Sequence, residues 1–107
     1  MTQIEFYEDG GAWHMNLSGH AGFGEAGSDV VCAAASMLAY TLVECLQEQD
    51  GWGHMEELLV HQDEAEMRIT ARPEGEARDK FYWLLDTIAT GFSLLSEHYP
   101  NFVSFSG

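Results

Sequence analysis

Ala77, Phe81, Leu84, Leu85, Ile88, Phe92 and Leu95 recur three and four residues apart, so a helix over roughly 75 to 98 carries one apolar stripe along its length. Pro100 ends it. A helix with a single apolar face needs a second layer to cover that face, and the rest of the chain supplies candidates. Ile4 and Phe6 alternate with Glu5 and Tyr7, Asp9-Gly10-Gly11 makes a turn, and Trp13, Met15 and Leu17 alternate with His14, Asn16 and Ser18. That pattern is a β-hairpin. Leu58, Val60 and Gln62 lead through Asp63-Glu64 into Met67, Ile69 and Ala71, with Arg68, Thr70 and Arg72 on the opposite face and Pro73 at the end. Between these pairs Val31, Ala34, Ala35, Leu38, Leu42, Cys45 and Leu46 mark another helix, roughly 29 to 49, stopped by Asp50-Gly51-Trp52-Gly53. Phe102, Val103 and Phe105 offer a short last strand. The order strand-strand-helix-strand-strand-helix-strand predicts an α/β (α+β) two-layer sandwich, a mixed sheet with two helices packed on it. Residues 1–107 are expected to fold as a single domain.

Eighteen acids stand against four bases, Arg68, Arg72, Arg78 and Lys80, for a formal charge of −14. Such a chain repels a phosphate backbone, so nucleic acid is excluded as a direct partner. A basic peptide would be attracted instead, with Glu56-Glu57 and Asp63-Glu64-Glu66 as candidate guides, although acidity also serves solubility alone. The two cysteines, the lack of a signal-like opening and the lack of an apolar run near the ~18 residues a bilayer needs suggest a cytoplasmic protein with no membrane partner. Cys32 and Cys45 are thirteen residues apart on one expected helix, roughly 20 Å, which no disulfide spans.

The segment with most chemistry runs from Gly19 to Ser36. Cys32 follows Ser28-Asp29, two residue types that cap helices, so it belongs in a helix's first turn, where unpaired N–H groups and the helix dipole favour negative charge on sulfur. His20 ends a strand, and the glycine-rich stretch after it lets the chain fold back and bring imidazole to thiol. The pair reads as a nucleophile with its base, and the N–H groups at the helix start, Cys32 included, read as oxyanion donors. Asp29 has two readings, a cap accepting the N–H of Val31 or Cys32, or a third member orienting His20. Ser36, one turn beyond Cys32, either touches substrate or the dyad, or bonds back to a carbonyl. Gly22, Gly24 and Gly27 are hinge candidates for a loop that closes over a bound peptide. Cys45 reads as a small buried hydrophobe, and Tyr82 and Trp83 as additional core or as a contact with another copy. His14, His54, His61 and His98 have no ligand spacing, so neither a metal nor another cofactor is expected.

Gly19-His20-Ala21, a short loop, and then Gly27, Asp29, Val31, Cys32, Ala33, Ala34 and Ser36 resemble the active-site signature of the ribosomal-processing cysteine proteases, the Prp family, with Ala35 where valine is common. The resemblance implies a cysteine endopeptidase with Cys32 as nucleophile and His20 as base. It also implies a homodimer, a mobile glycine-containing loop at Gly22, Gly24 and Gly27, and a role in ribosome biogenesis. The implied substrate is the N-terminal extension of large-subunit ribosomal protein 27, whose basic N-terminal segment suits an acidic surface.

Two other classes stay open on sequence: a non-catalytic ribosome-associated binding module in which His20 and Cys32 merely pack, and a redox protein using Cys32 alone. The latter needs a resolving thiol, which Cys45 is too distant to supply.

Overall fold

The computed structural model describes residues 1–25 and 29–107. Five strands and two long helices follow in the expected order: β1 (Thr2–Asp9), β2 (Ala12–Ser18), α1 (Val30–Gly51), β3 (Met55–Gln62), β4 (Glu66–Pro73), α2 (Arg78–His98) and β5 (Val103–Ser106). A short 3₁₀ turn, Gly75–Ala77, leads into α2 and is capped by the Glu74 carboxylate on the Glu76 N–H. The sheet is mixed, in the order β3-β4-β2-β1-β5. β1 and β5 are parallel and the other neighbours antiparallel.

The β1–β2 connection is the two-residue loop Gly10-Gly11, with φ of 62° and 77°. Positive φ at both central positions defines the turn that matches strand twist, and glycine adopts it without a Cβ clash. The turn fixes the register Ile4↔Leu17 and Phe6↔Met15, and β4 continues it as Met15↔Ile69 and Leu17↔Met67. One face of the sheet is therefore apolar across several strands and packs on the helices. Ile4, Met15, Ile69 and Val103 from the sheet meet Val31, Ala35, Leu42 and Leu46 of α1 and Phe81, Leu85, Ile88 and Phe92 of α2, all buried. Phe6 presents ring edges to Trp13, Phe92 and Phe105, with centroids 4.9, 5.9 and 5.1 Å apart. The opposite face is polar: Tyr7 stacks on His14, which bonds Thr70 at 3.1 Å.

Two expectations need correction. Trp83 is not core, being 78% exposed, because it lies one residue off the α2 stripe that faces the sheet. Tyr82 does pack on the core and hydrogen-bonds the Glu8 carboxylate. The expectation that no apolar run approaches membrane-spanning length also fails. α1 carries no charge from Val30 to Val43 and is long and apolar enough to cross a bilayer by length and composition. Here its buried face, Val31, Ala35, Ala39, Leu42 and Leu46, is the floor of the core.

Candidate active site

At the end of β2, two hydrogen bonds and a left-handed backbone conformation hold Gly19 in place. Its N–H donates to the Ala65 carbonyl at 3.0 Å, its own carbonyl accepts from the Thr2 hydroxyl at 3.4 Å, and its φ is 83°. A Cβ at this position would stand 2.4 Å from the Met1 carbonyl oxygen. Glycine is thus required twice over, by conformation and by space. The next residue is His20, exposed on the rim, and the one after it is Ala21, buried.

The Ala21 N–H donates to the Cys32 Sγ at 3.1 Å. This backbone donor was invisible in the sequence, since any residue but proline carries one. His20, Cys32 and Ser36 line two adjoining cavities, of about 120 and 510 Å³. The smaller is bounded by Thr2 and Leu17, by Ala35, Ala39 and Tyr40 of α1, and by the β3–β4 turn from Gln62 to Met67. The larger opens toward Gly22, Gly24, Asp29 and Ala33. Imidazole and thiol share this cleft without a hydrogen bond between them among the described residues.

Asp29 settles between its two readings. Oδ1 accepts from Val31 N–H at 2.9 Å and Cys32 N–H at 3.0 Å, while Oδ2 accepts from Phe23 N–H at 2.9 Å and Gly24 N–H at 3.2 Å. One carboxylate caps α1 and ties down Phe23 and Gly24. Its surroundings push the carboxyl up by desolvation, and the four N–H bonds outweigh this and hold it below the ordinary aspartate value. Both oxygens accept from backbone donors, which is the capping reading, and among the described residues no hydrogen bond joins Asp29 to His20. The same bonds correct the oxyanion expectation: the Val31 and Cys32 N–H groups are taken by Oδ1, and the Ala33 N–H by the Asp29 carbonyl at 3.0 Å.

Ser36 is half-buried and, among the described residues, does not bond back to a carbonyl, in contrast to Thr41, whose hydroxyl donates to Met37 O at 2.7 Å. Its hydroxyl is available to the cleft. Phe23, beside Gly22 and Gly24, sets its ring edge against Tyr99 and Phe102, at 5.4 and 5.2 Å. Gly22 has φ of 75° with open space around it. Gly27 and Ser28 lie outside the described residues. Cys45 is half-buried on the far half of α1, where burial and then Glu48 and Glu44 push its thiol up.

A small mixed-sheet α+β sandwich that presents one cysteine and one histidine in a shared cleft, with a backbone N–H on the sulfur, is the class defined by this fold and site. The chain belongs to the cysteine protease Prp family, whose model matches residues 1–104. Its fold is that of the ribosomal processing protease Prp of Staphylococcus aureus. A complex of that protein with a covalently linked product peptide aligns at a TM-score of 0.78 and 23% identity, over 99% of this chain and 98% of the other. A second, with a substrate peptide, aligns at 0.72 and 21% identity over the whole of both chains. SMU.848 from Streptococcus mutans aligns at 0.71 and 27% identity, over 99% and 92%. No curated protein matches the chain.

Proposed function

We propose that the protein is a cysteine endopeptidase that removes the N-terminal extension of large-subunit ribosomal protein 27, with Cys32 as nucleophile and His20 as general base. The observation that carries this reading is the Ala21 N–H on the Cys32 Sγ, 3.1 Å away, in a cleft that His20 also lines. The N–H fixes the sulfur at the mouth of the cleft, where a bound peptide's carbonyl comes within its reach. The solved S. aureus complexes with substrate and product peptides support a peptide as the occupant of the cleft.

In the proposed sequence of steps His20 accepts the thiol proton and Cys32 Sγ attacks the scissile carbonyl. Charge then passes from sulfur to the carbonyl oxygen, two bonds away. The Ala21 N–H, relieved of a charged acceptor, turns to the new anion, since the N–H groups of the first helical turn are engaged. The imidazolium gives its proton to the departing amine, leaving an acyl-enzyme thioester. Water, deprotonated by His20, hydrolyses that ester and restores the thiol. Asp29 keeps both halves of the site in register through Cys32 on one side and Gly24 on the other. In this reading the glycine-containing stretch whose Gly22 and Gly24 line the cleft serves as its cover.

The acidic surface suits a basic substrate. Asp63, Glu64 and Glu66 of the β3–β4 turn line the same cleft as Cys32. The purified protein, incubated with the ribosomal protein of its own organism and read by mass, should release one N-terminal fragment. An unchanged mass after prolonged incubation leaves the non-catalytic binding module as the better reading.

A further inference from the structure

At the other end of α1, away from the cleft, a cavity of about 430 Å³ opens between the last turns of α1, the start of α2 and the start of β3. This volume is in the range that holds a bound ligand group. Its floor is apolar, formed by Leu46, Met55, Phe81 and Leu84, and its rim carries the carboxylates of Glu48 and Asp79. Neither carboxylate has an ion-pair or side-chain hydrogen-bond partner among the described residues. Lys80, on the rim, is turned toward the Trp52 ring, 5.9 Å from its centroid. Trp83 stands beside the opening, 78% exposed.

An apolar floor under unpaired carboxylates is complementary to an apolar side chain next to positive charge. We propose that this cavity is a second docking site for the basic substrate, taking an aromatic or long aliphatic side chain flanked by lysine or arginine in a segment distant from the scissile bond. The proposal rests on the endopeptidase reading above. Thirteen residues of α1 separate Cys32 from Cys45 on the cavity wall, about 20 Å at the helical rise. An extended peptide covers that distance in about six residues. The docked side chain therefore lies six or more residues from the cut.

The test compares a long substrate peptide, extending ten residues beyond the cut on each side, with one trimmed to four residues a side. Affinity is read by anisotropy of the labelled peptides on the Cys32→Ala chain, so it does not depend on turnover. The long peptide should bind at least tenfold tighter, and Glu48→Lys with Asp79→Lys, both at the rim of the cavity, should remove that advantage while leaving the short peptide's affinity unchanged. In the chain with Cys32 intact, the same double change should leave cleavage of the short peptide as it was. Equal affinity for the two peptides, or an advantage that survives both reversals, overturns the proposal. So does a shift in sedimentation from dimer to monomer on charge reversal, which makes a second copy of the chain the occupant. If the wild-type chain cuts neither peptide, the endopeptidase reading falls on its own, and the binding comparison still decides whether the cavity takes the long peptide.

Discussion

Gly19→Ala is the substitution whose cost the structure defines most closely. At φ of 83° an L-residue with a Cβ costs roughly 1–2 kcal/mol. The Cβ would also stand 2.4 Å from the Met1 carbonyl oxygen, a backbone atom that cannot rotate away. Relieving the clash moves Met1, and Thr2 with it. Thr2 is buried and its N–H donates to the Phe102 carbonyl at 2.9 Å, so straining that bond adds about 0.5–1.5 kcal/mol. The sum is about 1.5–3.5 kcal/mol, or a Tm lowered by roughly 7–16 °C in a domain of this size. Gly10→Ala is the control, because Gly10 has φ of 62° with nothing within 4 Å of its Cβ position, and it should show the conformational cost alone. Urea and thermal unfolding of the two variants give the difference directly. Peptide cleavage by Gly19→Ala, measured well below its Tm, should fall by more than tenfold, since Gly19 is joined to His20 and the displaced Thr2 lines the same cleft. The reasoning is refuted if Gly19→Ala is no less stable than Gly10→Ala, or if it is less stable yet cleaves at the wild-type rate.

Cys32→Ala should abolish cleavage while leaving the Tm within a few degrees, because alanine is an excellent helix former at a half-buried position; more than a few per cent residual cleavage removes Cys32 as nucleophile. His20→Ala should be nearly as inactive, and because the side chain is exposed its unfolding curve should overlay the wild type. Asp29→Asn should lower both stability and cleavage, since an amide cannot accept four N–H bonds. The Asp29 carboxyl lies lower in the folded chain than in the unfolded one, so its stabilisation is complete above the unfolded value near 3.8 and is lost as pH falls through the folded value. Acid titrations of wild type and Asp29→Asn should therefore converge in that window, and parallel curves down to pH 2 would count against the capping role. Gly24→Pro removes the N–H that donates to Asp29 Oδ2, so it should cost stability as well as turnover, measurable as a lower urea midpoint beside a lower kcat. Raising salt from ~50 to ~500 mM shortens the Debye length about threefold and should cut kcat/KM several-fold for a basic substrate, with little change for a neutral peptide; equal effects on both leave the acidity a solubility device.

Periodicity in the chain determined the elements and their order, because each pattern is a local consequence of which faces must be buried. The α2 stripe from Ala77 to Leu95, the Gly10-Gly11 hairpin and the alternation of Met67, Ile69 and Ala71 all appear as read, and α1 begins one residue later than expected and ends two later, at Gly51. Cap chemistry is equally local, so Asp29 at the head of α1 was legible as an N-cap. Its second oxygen was not, because the Phe23 and Gly24 N–H groups reach it only when the loop folds back. The sequence brought His20 and Cys32 to notice as residue types on either side of a flexible loop. The donor on the sulfur, the Ala21 N–H, is a backbone group with no signature in residue identity, and only tertiary folding brings it there. The sheet order, with β5 parallel to β1 at one edge and β3 at the other, likewise follows from long-range pairing that no short window encodes. Trp83 and α1 mark the same boundary from the other side: hydropathy sees an apolar residue and a span-length apolar helix, whereas exposure and burial depend on which face the sheet takes. Local physics thus wrote the elements and the cap, and the packing of one layer on the other decided which backbone groups surround the thiol.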